Sequence, residues 1–226
     1  MDAVVTHKEP STGSYYAWKN RWLIPCALAL GCLVSLSIDI SAARVFDGKQ
    51  LPATFDRTLR EALEICETFG HGFGAVLIAI AVVVLDPLKR RIWPWLLAGS
   101  IGSGTVANAL KYCVPRTRPR DFDLTAGTVW DTFVKGSQTG WGMQSFPSAH
   151  TATAVGLAVT LSAMYPRGSW YFAVLAVFVG FQRIVSSAHF PSDVFAGAVV
   201  GWLVGTVCAS SMISPRTAQL RADVES

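Results

Sequence analysis

Three short clusters, far apart in the chain, carry side chains suited to phosphate chemistry. The first holds Lys111, Arg118 and Pro119, the second Pro147, Ser148, Ala149 and His150, and the third Arg183, His189 and Asp193. Lys111, Arg118 and Arg183 are permanent cations that neutralise an anion. Ser148 and His150 follow a proline at the start of an apolar run, where a helix N-terminus leaves free N–H groups and positive dipole character. His189 and Asp193 are four apart, so a carboxylate reaches one ring nitrogen and leaves the other as nucleophile or base. Each cluster has an ordinary explanation taken alone: Ser148 as an N-cap, His150 as a hydrogen-bonded histidine, His189 and Asp193 as a surface pair, Arg183 as a snorkelling side chain. Taken together, three cations and two imidazoles suit a phosphate dianion. One imidazole attacks phosphorus and the other protonates the departing oxygen.

The rest of the chain says what must position these groups. Of 226 residues, 51% are apolar and 15% charged, with a net charge of +4 and a mean hydropathy of +0.39. A soluble domain carries about 25% charge, so the solvent is lipid. The basic residues sit in gaps between apolar runs rather than on one face, which excludes a nucleic-acid footprint. Six apolar segments, at 22–38, 69–85, 92–110, 150–165, 170–188 and 192–213, approach the ~20 residues that cross a bilayer core as helix. The first could instead be a signal peptide, with Lys19 and Arg21 before it and Ser41, Ala42 and Ala43 after it. Its apolar run exceeds the usual ~7–15 residues of such a segment, which favours an uncleaved helix. Arg183 lies within the fifth run, where mid-membrane charge costs at least ~2.5 kcal/mol and calls for a polar cavity and a partner.

Lys89, Arg90 and Arg91 form a tight basic loop between the second and third segments. By the positive-inside rule that loop and both termini, with Lys8, Lys19, Arg21, Arg216 and Arg221, are cytoplasmic. Trp18, Trp22, Trp93, Trp95 and Trp170 fall near the same side, as an aromatic belt requires. All three clusters then open on the outer side. Residues 54–67 place Phe55, Leu59, Leu63 and Cys66 at helical spacing among charges. This predicts an amphipathic helix, either lying on the outer membrane surface or solvated as a loop helix. The fold class is therefore all-α: a six-transmembrane-helix bundle with an amphipathic helix between the first two spans. Residues 1–226 form a single domain with flexible ends at 1–17 and 215–226. Five cysteines without a CxxC pattern indicate neither a disulfide framework nor zinc; a bridge between Cys66 and Cys113 is conceivable and nothing supports it.

In order along the chain, Lys-x6-Arg-Pro (Lys111 to Pro119), Pro-Ser-x-His (Pro147 to His150) and Arg-x5-His-x3-Asp (Arg183 to Asp193) resemble the three signature motifs of the type-2 phosphatidic acid phosphatases. Each motif alone is weak; all three in order, at helix ends on one side, are strong. Ala149 stands where the family has glycine and Gln182 where it has serine. Alanine keeps the backbone N–H, and glutamine replaces the hydroxyl's hydrogen bond. The resemblance implies an integral-membrane lipid phosphatase that needs no metal or other cofactor. Lys111, Arg118, Arg183, Ser148 and the Ala149 N–H hold the phosphate. His189 attacks to give a phosphohistidine, Asp193 orients it, and His150 protonates the leaving alkoxide and then activates water. One carboxylate at the site, with no acidic cluster for Mg²⁺, agrees with this.

The implied substrates are lipid phosphates or pyrophosphates: undecaprenyl pyrophosphate, phosphatidylglycerol phosphate, phosphatidic acid or lipid A phosphates. The implied place is a bacterial inner membrane with the site facing the periplasm. A phosphotransferase would share every catalytic residue. A lipid-binding or transport protein on the same scaffold would need no complete His–Asp pair and no second histidine. The vanadium haloperoxidases share the anion cradle but are soluble. Neutral His189 with protonated His150 predicts a bell-shaped pH–rate profile. The segment 120–146, with Phe122, Trp130, Phe133, Trp141 and Phe146 among glycines, reads either as a lid on the substrate or as a loop resting in the headgroups. No motif bears on oligomeric state.

Overall fold

The computed structural model describes residues 22–47, 52–134 and 143–212. The expected flexible ends, the charges and Trp18 at the termini, and Gly136, Gly140, Trp141 and Gly142 of the candidate lid lie outside them. The described residues are all-helical, with isolated bridges at Arg116 rather than strands. The helices are α1 Leu23–Ser35, α2 Asp39–Phe46, α3 Ala53–Glu67, α4 Gly72–Leu85, α5 Trp93–Leu110, α6 Ala149–Met164, α7 Ser169–Val185 and α8 Pro191–Met212.

The first apolar segment does not run straight to Ile38. Helix α1 stops at Ser35, and α2 leaves it at 75°. Hydroxyls close the break: Ser35 Oγ donates to the Cys32 carbonyl at 3.0 Å and Ser37 Oγ to the Val34 carbonyl at 2.7 Å. The physical reason is Asp39, fully buried in the first turn of α2. A carboxylate at that depth needs a cationic partner, and the bend turns it inward to one. The second segment also starts later than expected. Thr68–Gly70 is a 3-10 turn after α3, and α4 begins at Gly72 with a bend of 62°. His71 caps α4, its Nδ1 accepting the Phe73 N–H at 3.2 Å.

Helix α6 is the hub, packing on α5, α7 and α8, while α1 packs on α8 and α3 on α7. Thr151 to Ala154, which follow its first two residues, are buried on every side. Small residues permit this closeness, as in membrane bundles where no hydrophobic force separates helix from lipid. A Cβ on Gly156 would collide with the Gly99 carbonyl of α5, and one on Gly197 with the Ser148 carbonyl. The core behind these contacts is Ala75, Leu96, Leu157, Val179 and Ala209.

Outward faces are apolar too: Leu33 is 66% exposed, Val84 68% and Val177 69%. Pro166–Val185 and Pro191–Met212 are each long and apolar enough to cross a membrane, and the two bent pairs raise the number to four among the described residues. The chain is an integral membrane protein on these grounds. Helix α3 forms where its periodicity predicts, with Leu63 buried against the bundle but Phe55 exposed. All five cysteines are free, Cys66 and Cys113 included.

Candidate active site

The end of α5, the start of α6, the end of α7 and the start of α8 meet at one end of the bundle. The basic loop lies at the other end, where Lys89 pairs with Asp86 at 2.9 Å and covers the Tyr165 ring at 4.0 Å. At the first end, Ser187 adopts φ 53° and turns the chain out of α7. The Ala188 and His189 N–H groups both return to the Arg183 carbonyl, at 3.2 and 3.1 Å. Pro191 then opens α8, where a missing N–H costs nothing. This tight reversal carries His189 inward, 4% exposed, beside a fully buried Asp193.

His189 Nδ1 lies 3.7 Å from Asp193 Oδ2 and 3.5 Å from Ser145 Oγ. The proton is assigned to Nδ1 from these acceptors, which leaves the Nε2 lone pair for chemistry. Burial pushes the imidazole down to about 4, against the opposing pull of the Asp193 carboxylate and with further push from Lys111 and Arg118. His189 is therefore neutral near pH 7, the state a nucleophile needs.

Asp193 is held as a carboxylate by donors. Ser145 Oγ donates to it at 2.6 Å, the Phe190 N–H at 2.8 Å and Arg116 Nη1 at 2.5 Å. Arg116 is the largest fully buried side chain. Its Nη2 reaches Asp39 at 2.7 Å, its Nε the Thr132 hydroxyl at 2.9 Å, and its Nη1 also Ser192 Oγ at 2.7 Å. The rings of Phe133 and Phe190 cover its faces at 4.5 and 4.3 Å. This planar fork uses geometry that lysine lacks. Phe133, read from sequence as part of a lid, packs on Arg116. The segment is anchored there: the Arg116 N–H donates to Met143 and its carbonyl accepts from Ser145, while Thr117 donates to Thr132.

Lys111 and Arg118 have no hydrogen-bond or ion-pair partner among the described residues, and Arg118 Nε is a buried donor left unmatched. Burial, then the charge of Arg118, lowers Lys111 to about 8. Burial and neighbouring arginines also lower Arg118, though not enough to discharge a guanidinium. Both act electrostatically on His189. Two unmatched cations acting on one neutral imidazole are an arrangement suited to an anion. The helix N-terminus adds to it. Ser148 caps α6, its Oγ accepting from the Thr151 N–H at 3.4 Å and the Thr151 hydroxyl at 3.0 Å. Its own hydroxyl proton stays available to a ligand, as does the N–H of Ala149, which begins α6.

Arg183 and His150 complete the set, and here the expectation of a single carboxylate is corrected. Glu67, at the end of α3, lies 2.7 Å from Arg183 Nη2 and 3.5 Å from His150 Nε2. Gln182 accepts from Arg183 Nε at 2.5 Å and donates to Glu67 at 3.2 Å, so it links the arginine to the carboxylate a second time. Every site residue expected from sequence thus lies at this end of the bundle. Sequence reasoning missed Asp39, Glu67, Arg116 and Ser145. Asp39 carried a readable signal, a carboxylate closing an apolar run; Arg116 passed for a spacer inside its motif. Among the described residues no group of three or more His, Cys, Asp or Glu side chains is placed to hold a metal ion.

Two solved structures share the fold. A PAP2-type phosphatidylglycerolphosphate phosphatase from Bacillus subtilis aligns with a TM-score of 0.59 at 20% identity, covering 84% of this chain and 98% of its own. Aquifex aeolicus LpxE aligns at 0.55 and 19%, covering 76% and 95%. By sequence, a lipid A 1-phosphatase of Rhizobium etli is 34% identical over 115 residues, 49% of this chain and 47% of that protein. A decaprenylphosphoryl-5-phosphoribose phosphatase of Mycolicibacterium smegmatis is 34% identical over 131 residues, 56% and 64% of the two chains. The match therefore spans about half the length of the first of these relatives. The sequence pattern of the PAP2 superfamily covers residues 93–214, from the start of α5 through α8 and so across all three clusters. With the pattern, the bundle and the order of the clusters in agreement, the chain belongs to the PAP2 superfamily.

Proposed function

We propose that the protein hydrolyses a membrane lipid phosphate or diphosphate through a phosphohistidine on His189, without a metal ion. The observation that carries this is the pair of unmatched cations, Lys111 and Arg118, beside a buried neutral imidazole backed by a carboxylate. In this reading Lys111, Arg118 and the free edge of Arg183 neutralise the phosphate oxygens, and Ser148 and the Ala149 N–H add hydrogen bonds. His189 Nε2 attacks phosphorus in line, and Asp193 stabilises the imidazolium that develops. His150 gives its proton to the departing oxygen, then takes one from the water that cleaves the phosphohistidine. Cations do here what Mg²⁺ does in metal-dependent phosphoryl transfer.

The lipid part of the reading is supported by a groove of about 810 Å³ between α1, α6, α7 and α8. It starts at Thr151 and Val194, next to Ser148 and Asp193, and runs past Ala173 and Val177 to Pro166. Its walls are almost wholly apolar. A headgroup at His189 leaves its hydrocarbon here. The relatives named for lipid A 1-phosphate and decaprenylphosphoryl-5-phosphoribose make a phosphate on a lipid-linked sugar the first substrate class to test, ahead of undecaprenyl pyrophosphate, phosphatidylglycerol phosphate and phosphatidic acid.

In the same reading α1 and α4 to α8 give six crossings of a bacterial inner membrane, α3 lies on the outer interface, and the site faces the periplasm with both termini inside. The opposite placement of Lys89 and His189 along the bundle supports that orientation. The test is phosphate release from a panel of these lipids by purified protein in detergent with chelator present. Turnover that survives chelation and vanishes in His189→Ala supports the reading. Turnover that needs added Mg²⁺, or none on any lipid, sinks it.

A further inference from the structure

The general acid of the proposed reaction sits in an electrostatic setting that opposes its task. His150 must carry a proton before the leaving oxygen departs. Yet the groups that act on it are Arg183 from α7, Lys111 from the end of α5, His189 from the α7–α8 turn and His71 from the turn before α4. Two are cations at neutral pH, and the other two are imidazoles. The His71 ring lies 5.8 Å from the His150 ring, centroid to centroid. Against them stands one anion in ion-pair range among the described residues, Glu67, with Oε1 3.5 Å from His150 Nε2.

Three features hold Glu67 there. Its other oxygen is pinned by Arg183 Nη2 at 2.7 Å and by Gln182 Nε2 at 3.2 Å. It ends α3, and the Thr68–Gly70 turn that follows packs on α6. Gly70 permits that contact, since a Cβ there would meet the Val179 side chain and, at 2.8 Å, the His150 carbonyl. The turn is therefore registered against the very residue whose imidazole Glu67 faces. The side chain is about a third exposed.

We propose that Glu67 is the positioning residue of the general acid: its carboxylate favours the protonated form of His150 and ties that imidazole to the arginine that holds the phosphate. The proposal rests on the phosphatase reading above and adds to it a carboxylate outside the three motifs. In each cycle the His150 ring proton that does not face Glu67 passes to the leaving oxygen as the P–O bond breaks. The neutral imidazole then takes a proton from the water that attacks the phosphohistidine, and the Glu67 carboxylate again favours the charged ring. Glu67 itself neither gains nor loses a proton.

The test uses full-length protein in detergent and two substrates with the same hydrocarbon chain. One is a long-chain alkyl phosphate, whose alkoxide must be protonated as it leaves. The other is a nitrophenyl phosphate bearing that chain, whose phenolate departs unprotonated. Glu67→Gln keeps the size and removes the charge. Expected is a fall in kcat on the alkyl ester at least ~10-fold larger than the fall on the nitrophenyl ester, since general acid catalysis contributes ~10²–10⁴-fold. The alkaline limb on the alkyl ester moves to lower pH, because losing the anion disfavours the imidazolium. Glu67→Asp restores part of the rate. In a His150→Ala background, Glu67→Gln adds little further loss on the alkyl ester, as partners in one step are not additive. Turnover of the nitrophenyl ester shows that the Glu67 variants are folded, and an unchanged melting temperature shows the same for the His150→Ala background. Equal falls on both esters, or an unmoved alkaline limb, overturn the role of Glu67 while leaving the phosphatase reading intact. A wild-type protein inactive on both esters sinks the two together.

Discussion

Arg116 and Asp193 meet at 2.5 Å with both side chains fully buried, and the other arm of the same guanidinium reaches Asp39 at 2.7 Å. One cation thus joins the carboxylate behind the candidate nucleophile to a carboxylate at the break after α1. Taking such charges out of water is costly, and the arrangement holds only because every arm of the fork is matched.

Arg116→Met leaves Asp39 and Asp193 buried without a counter-charge. Removal of one partner from such a pair costs ~3–5 kcal/mol. The expected result is a melting temperature lower by on the order of 10 °C in detergent. Arg116→Lys recovers little, because an ammonium cannot serve Asp39, Asp193 and Thr132 together. An unchanged melting temperature in Arg116→Met would show the network to be dispensable.

The depressed basicity of His189 gives stability a pH dependence with a definite sign. Folded, the ring titrates at about 4; unfolded, near ~6.5. Between those values the unfolded chain binds the proton and the folded chain does not. Stability is therefore highest above ~6.5 and falls as pH drops toward about 4, by on the order of 3 kcal/mol from this group. Melting scans from pH 7.5 to 4.5 check this, and His189→Gln should flatten the curve over that window.

Lys111 sets the opposite edge. With the free site titrating at about 8, the cation is lost as pH rises through 8, and substrate binding weakens with it. KM should rise by about tenfold between pH 7 and 9.5, a loss on the order of one charge-assisted contact. Lys111→Arg keeps its charge across the range, so its KM should stay flatter. Parallel KM curves for the two proteins would remove Lys111 from phosphate binding.

Gly197 is where α8 touches the cap of α6. A Cβ there would strike the Ser148 carbonyl, which is backbone and cannot rotate away. Gly197→Ala is expected to cost ~1–3 kcal/mol and to lower kcat by at least tenfold by displacing Ser148 and Ala149. Gly102, whose Cβ would meet open space, serves as control: Gly102→Ala should leave both quantities near wild type.

The groove predicts selectivity by chain length. Ala173→Phe fills it midway between Thr151 and Pro166. The expected outcome is a fall of about tenfold in kcat/KM on long-chain lipid phosphates, from ~1–3 kcal/mol of lost apolar contact, with a much smaller effect on a short-chain analogue. Equal effects on both would place the hydrocarbon elsewhere.

The amino-acid sequence by itself determined the helices and the three clusters. Apolar runs without charge can satisfy their backbone only as helix in lipid, and Lys111, Ser148, Arg183, His189 and Asp193 sit at run ends that local spacing makes visible. Tertiary structure alone decided the partners. Asp39 and Asp193 each lie 77 residues from Arg116, and Glu67 lies 115 from Gln182. No periodicity links such positions. Close packing at Gly70, Gly156 and Gly197 sets which helix ends meet, and only then does a buried charge find the group that neutralises it. The break after Ser35 follows the same logic. Local hydropathy favoured a continuous span to Ile38, and the need of a buried carboxylate for Arg116 bent the chain instead.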